Sequence, residues 1–174
     1  VVVAGNQAER YARIGEACGR DVARACVSPG QAMRPEWLDR FLRSPAFEAV
    51  AVVQQEDEED ELMPLADLAP VVRRNGALFI ADVTASAGRF PVQADKWGLD
   101  LVFAGGEGGS PIPSWLVIGA ASGRALQRAE SMPGRGLALD LVAHHEAAAA
   151  GATLDPLPEP FDAVQARIVS ALQP

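Results

Sequence analysis

Asp82 is the residue whose type and setting most invite chemistry. It closes an unbroken apolar run, Ala77 to Ala81, which follows Asn75-Gly76 and precedes the small residues Val83-Thr-Ala-Ser86-Ala-Gly88. Apolar runs without alternation suit a strand buried on both faces of a parallel sheet. Ligands of open α/β sheets bind at the carboxyl ends of the strands. An acid in that position either aims into a crevice or caps the following turn. A glycine-rich stretch, Gly105-Gly-Glu-Gly-Gly109, follows the next apolar run. Pro111 and Pro113 stand where a phosphate-cradling helix would have to begin, and no Gly-Lys-Ser/Thr follows, so nucleotide chemistry fits poorly.

The other chemically capable residues carry weaker signals. Glu56 to Glu61 are six consecutive acids after Gln54-Gln55. They read as an exposed, self-repelling loop, or as a site for a hard cation, although the glycine and downstream glutamate of a calcium loop are missing. His144 and His145 are adjacent, so on a helix they point about 100° apart and do not form an i, i+4 metal pair. Cys18 and Cys26 match no metal or redox spacing and read as buried free thiols of a reducing, cytoplasmic compartment. Of the 15 basic residues only Lys96 is a lysine, so amine nucleophile chemistry has one candidate. No residue is assigned to a metal.

The elements that would position these groups alternate in type. Val1–Ala4 reads as a strand. Gln7–Cys18 reads as a helix with Ala8, Tyr11, Ala12, Ile14, Gly15 and Cys18 on its inner stripe. Asp21–Val27 reads as a strand, and Pro35 opens a helix whose inner face is Trp37, Leu38, Phe41 and Leu42. Ala49–Val53 is a third strand. Pro64–Asn75 is a helix with Leu65, Leu68 and Val72 inward, which Pro70 should kink or split. It ends on Asn75-Gly76, with the glycine in the left-handed conformation. After the Leu78 strand, Asp95-Lys-Trp97-Gly98 is a turn, Leu99–Ala104 a fifth strand and Trp115–Ala120 a sixth. Ser122–Glu130 and Leu137–Ala150 are helical, Asp155–Pro160 is a stiff linker, and Phe161–Leu172 is a closing helix. This order predicts an α/β fold, a mostly parallel sheet with helices on both faces, built as one domain over residues 1–174.

Composition narrows the partners. The net charge of −8 opposes a nucleic-acid or anionic-membrane partner, and no apolar run reaches the length of a membrane span. Opening on a core-like strand, Val1-Val-Val, suggests a piece of a longer polypeptide.

Taken together, several of these stretches resemble the class V aminotransferases, pyridoxal-phosphate enzymes of fold type I, and most closely the alanine–glyoxylate and serine–pyruvate group. The resemblance rests on Met63-Pro-Leu, Asn75-Gly-Ala-Leu-Phe-Ile-Ala-Asp82-Val-Thr-Ala-Ser86, Pro91-Val, Trp97-Gly-Leu-Asp100 and Leu101-Val-Phe-Ala-Gly-Gly. Glu9-Arg10-Tyr11 and Arg135-Gly-Leu-Ala-Leu-Asp140 fit the same template in the same order. It spans nearly the whole chain but less than half of a full-length member, the middle of the large domain. It implies that Asp82 is the cofactor-binding aspartate that salt-bridges the pyridinium nitrogen, keeping the ring an electron sink, and that Thr84 lies near the ring.

The departures from that family are specific. Its Schiff-base lysine position is Gly108 here, and Lys96 lies in the turn before the fifth strand, on its wrong side. The neighbouring glutamine position is Glu107, which would meet a phosphate dianion with like charge. The hydroxyl-rich segment after the third strand is replaced by Glu56–Glu61. The family's phosphate loop and small domain fall outside the sequence. No catalytic residue is assigned, and no cofactor is expected in the isolated chain. Two readings follow: a degenerate, non-catalytic structural or interaction domain, or part of a working enzyme whose lysine and phosphate loop come from elsewhere. Uncovered apolar flanks at Val1–Val3 and on the Trp37 and Phe161 helices point to a homodimer or a subunit of a larger assembly.

Overall fold

The computed structural model describes residues 1–28, 30–56, 61–106, 113–136 and 140–154. In chain order these form β1 (Val2–Val3), α1 (Asn6–Ala17), β2 (Ala25–Cys26), α2 (Pro35–Leu42), β3 (Ala49–Val53) and α3 (Leu65–Arg74). They continue with β4 (Leu78–Asp82), α4 (Ala94–Trp97), β5 (Leu101–Gly105), β6 (Val117–Ala121), α5 (Gly123–Glu130) and α6 (Leu141–Ala149). Glu107, Gly108, the Asp155–Pro160 linker and the Phe161–Leu172 helix lie outside the described residues.

The strands form one six-stranded sheet in the order β2-β1-β3-β4-β5-β6. The first five run parallel and β6 runs antiparallel to β5. The chain moves outward from β1 to β2, then crosses back past β1 to β3 and proceeds the other way. With right-handed crossovers, that reversal places α1 on one face and α2, α3 and α4 on the other. Contacts of α2 with α3, α3 with α4 and α1 with β3 agree.

Register explains why one face is the better buried. Val50 pairs with Phe79 and Val52 with Ala81, and Ala81 with Val102, so these side chains share one face. All are buried, together with Ala104, and they join Leu38 and Leu42 of α2 and Leu65, Leu68 and Val72 of α3 in one cluster. On the opposite face Ile80, Leu101 and Phe103 are only half-buried. The expectation of a β4 strand buried on both faces therefore holds for one face, and the α1 face is partly open among the described residues.

Local chemistry ends the elements as expected in some places and not in others. Asn75 closes α3, its Nδ2 donating to the Val71 carbonyl at 2.9 Å, and Gly76 follows with φ of 80°. Pro70 neither splits nor ends α3. It sits on the exposed side, where the carbonyl that loses its donor can meet water, while Leu68, Ala69, Val71 and Val72 hold the helix to the sheet. Asp39 of α2 accepts from Arg74, Asn75 and Arg43. Those donors, Arg74 foremost, hold its carboxyl well below the usual aspartate range.

Three other expectations are corrected. The first two strands are only two residues long each. Cys18 and Cys26 are exposed, not buried: Cys18 caps the solvent end of α1, and Cys26 alternates outward from Ala25 on the edge strand β2. Ile14 and Trp37 are also largely exposed, at 47% and 39%, although Trp37 stacks on Phe41 and Phe41 on Phe47. Among the described residues no helix is long and apolar enough to cross a membrane.

The amino-terminal edge of the sheet is clamped by one buried carboxylate. Asp100, 3% exposed, accepts the Phe79 amide at 2.9 Å, the Ser122 hydroxyl at 2.8 Å and the Arg124 guanidinium at 3.1 Å. Arg124 also donates to the Ala77 carbonyl. The clamp joins β4, β5 and the start of α5. Asp100→Ala strands a buried amide and part of a cation, so it should destabilise the chain by about 3 kcal/mol. Guanidinium denaturation reads this directly. A loss below about 1 kcal/mol, the size of an ordinary exposed pair, would show that the clamp does not hold the sheet.

Candidate functional site

The reversal of the sheet between β1 and β3 defines where a ligand would be sought, because at that point neighbouring connections diverge and open a crevice beyond the strand ends. Among the described residues, a carboxylate of the chain itself reaches into this crevice. Glu56, three residues past β3, is 6% exposed, and its carboxylate accepts the Gln7 amide at 2.8 Å and the Ala8 amide at 3.0 Å. These are N–H groups of the first turn of α1, which have no partner within the helix and carry the positive end of its dipole. About 10 Å³ remains among Ala4, Val53, Gln54, Glu56 and Met63, at most the room of one water. Glu56 therefore corrects the expectation that the whole acidic run is solvated. Its charge is acceptable in the interior because two oriented amides meet it. Residues 57–60 are outside the described residues, and Glu61 is exposed.

Gly5 follows from the same contact. A Cβ there would lie 2.7 Å from Glu56 Cδ and Oε2, so only glycine lets the carboxylate reach the helix. An open groove of about 450 Å³ lies next to the crevice, lined by Gly30, Gln31, Ala32, Arg34 and Glu61; Asp82 takes no part in it.

One strand further along, Asp82 ends β4 between β3 and β5. Its position on the strand turns it toward the face that carries α1. It is 7% exposed. Oδ1 accepts the Thr84 amide at 2.8 Å, a cap of the following turn, and Oδ2 accepts the Tyr11 hydroxyl at 2.6 Å. Tyr11 comes from α1 and packs edge-on against Phe103, the cross-strand partner of Asp82, with ring centroids 6.1 Å apart. Thr84 Oγ1 accepts the Gly105 amide at 3.0 Å, which ties the turn after β4 to the end of β5. Beneath it Ser86, wholly buried, donates to Gln54 Oε1 at 2.5 Å. The two sequence alternatives for Asp82 thus coexist: it caps its own turn through one oxygen and presents the other toward Tyr11.

Lys96 stands apart from this cluster. It lies exposed on α4, before β5, whereas Asp82 lies at the far end of the parallel strand β4. Five strand residues separate the two edges, roughly 16 Å. His144 and His145 are exposed on α6. Sequence reasoning overlooked the pairing of Glu56 with α1 and of Tyr11 with Asp82. Some signal was present. Tyr11 shares the inner stripe of α1 with Ala8 and Ala12, so its hydroxyl had to find a polar partner at the sheet.

The mostly parallel six-stranded α/β sheet has the architecture of an aminotransferase large domain. The chain belongs to the aminotransferase class-V family, which it matches over residues 1–108. It is 32% identical over 140 residues, 80% of this chain, to 2-aminoethylphosphonate–pyruvate transaminase 1 of a Polaromonas species, and covers 32% of that protein. It is 28% identical over 153 residues, 86% of this chain, to the soluble hydrogenase 42 kDa subunit of Anabaena cylindrica, covering 40% of it. The alanine–glyoxylate aminotransferase structure from a Nostoc species superposes with a TM-score of 0.86 at 21% identity, over 99% of this chain and 46% of that one. The chain thus spans about a third to two fifths of the length of the curated relatives it matches.

Proposed function

We propose that this chain is a class V aminotransferase-fold domain that does not itself perform covalent pyridoxal-phosphate chemistry. On this reading it is a single large-domain core, acting in the cytoplasm as a structural or interaction module. The observation that carries the reading is the placement of amines. The only lysine is exposed at the edge of the sheet opposite Asp82, and the sequence that follows β5 is Gly106-Glu-Gly-Gly109. A Schiff base needs an amine within bonding distance of the aldehyde, and Gly108 has none. Glu56 also occupies two N–H groups at the start of α1, so that helix end is not open to a second anion. The residues present therefore do not fit the phosphorylated, covalently held cofactor. They keep only the carboxylate at the ring-nitrogen position.

That retained carboxylate favours a second reading. Asp82 sits at the end of a central strand, facing Tyr11, as a working site would need. A partner chain, or sequence beyond these 174 residues, would then supply the lysine and phosphate contacts. The transaminase relative points to an amino-phosphonate or keto-acid substrate in that case. Borohydride reduction after adding pyridoxal phosphate, followed by peptide mapping, separates the readings for the chain itself. The expected adducts are confined to Lys96 and the N-terminal amine. A reduced adduct that requires Asp82 would overturn the non-covalent reading.

Exposed apolar side chains at Trp37, Trp115 and Val117 support a role in assembly, because exposed apolar surface commonly marks contacts. The hydrogenase-subunit relative is in keeping with this. A homodimer or a place in a larger assembly is the expected state. Light scattering at micromolar concentration should give at least twice the 18.3 kDa chain mass. A monomer mass, with no partner co-purifying, contradicts it.

A further inference from the structure

The turn that ends α3 carries a chemistry of its own. Asparagine is a labile residue, and Asn75 is followed by Gly76, which has no Cβ to shield the backbone nitrogen between them. In the reaction open to such a pair, the Gly76 nitrogen gives its proton to hydroxide and attacks Asn75 Cγ. The Cγ–Nδ2 bond breaks, Nδ2 leaves as ammonia, and a five-membered imide closes. Water then opens the ring at either carbonyl, which leaves an aspartate or its isomer with the backbone routed through the side chain. One water enters and one ammonia departs.

In the folded chain each participant is held away from this path. Asn75 has ψ of 5°, which turns the Gly76 nitrogen toward Asn75's own nitrogen and away from its Cβ. The Gly76 amide donates to the Arg73 carbonyl at 3.0 Å. Nδ2, the leaving group, donates to the Val71 carbonyl at 2.9 Å and to Asp39 Oδ1 at 3.0 Å. Val71 belongs to α3 itself, but Asp39 belongs to α2, so this hold lasts only while the two helices stay packed. Gly76 is exposed, so water is at hand when they part.

We propose that Asn75-Gly76 is a latent deamidation site, kept closed by Asp39 and opened when α2 separates from α3. The conversion runs one way. Its product loses both Nδ2 donors and sets a new carboxylate against Asp39 and the negative end of α3. The helices then do not regain their contact, and a chain that has opened is kept from closing by its own chemistry. The site is independent of Asp82 and of any cofactor.

The test incubates the wild type and Asp39→Ala in mildly alkaline buffer, with and without denaturing urea. Peptide mapping by mass spectrometry follows the amide-to-acid conversion at Asn75. Asn6, the other asparagine, precedes Gln7 and serves as the internal reference. Without urea the wild type should convert at Asn75 at least about tenfold more slowly than in urea, the worth of one hydrogen bond to a charged acceptor. Folded Asp39→Ala should lose most of that protection while Asn6 keeps its wild-type rate. Asp39→Asn, which retains a neutral acceptor, should fall between them and replaces Asp39→Ala if that variant does not fold. Asn75→Asp, which carries the product directly, should have a lower denaturation midpoint than the wild type. Equal rates at Asn75 with and without urea would overturn the closed site. Full protection in a folded Asp39 variant would overturn the role of Asp39, and an Asn75→Asp chain as stable as the wild type would overturn the one-way step.

Discussion

The carboxylate of Glu56 on the first turn of α1 is the contact on which the site side of this molecule depends. The sheet reverses between β1 and β3, and the start of α1 faces the gap that results. The amides of its first turn have no helical partners. One buried acid from the segment after β3 satisfies two of them at once. The price of that solution is Gly5, where any side chain would collide with the acid. With α1 anchored in this way, Ala8 and Ala12 lie buried and Tyr11 is brought over Asp82 and Phe103. The same contact engages two donors that an external anion could otherwise have met.

The two edges of the sheet consequently do different work. The amino-terminal edge is structural: Asp100 binds an amide, a hydroxyl and a guanidinium from three elements, and Lys96 lies exposed on the same side. At the carboxyl-terminal edge Glu56, Asp82, Thr84 and Ser86 all pair with other residues of this chain. The core, from Val50 to Ala104 beneath α2 and α3, includes none of Glu56, Asp82 and Thr84. A TM-score of 0.86 at 21% identity fits that separation of scaffold from site.

Much of the scaffold was legible in the sequence. The apolar runs at Ala49–Val53 and Leu78–Asp82 became paired central strands, and Asn75-Gly76 ended α3 as its residue types require. The antiparallel sixth strand was open in the sequence and is settled by its register with β5. Other features depend on tertiary partners that no local pattern shows. Glu56 looked like one member of a solvated charge run because its partners, Gln7 and Ala8, lie far away in the chain. Pro70 looked like a breaker because its exposed position and the packing of its neighbours were not visible. Cys18 and Cys26 looked like core residues because cysteine is usually buried, yet one lies at a helix end and the other on an edge strand. The apolar run placed Asp82 at a strand end, but only geometry could show that Tyr11 reaches it.

The most direct test of this account follows the backbone amides of Gln7 and Ala8 by NMR while inorganic phosphate is added to the wild-type chain. If Glu56 holds these two groups, they are protected from solvent exchange and their resonances do not move with phosphate. Rapid exchange of both amides, or a saturable shift on phosphate addition, would contradict a helix start held by the chain's own carboxylate.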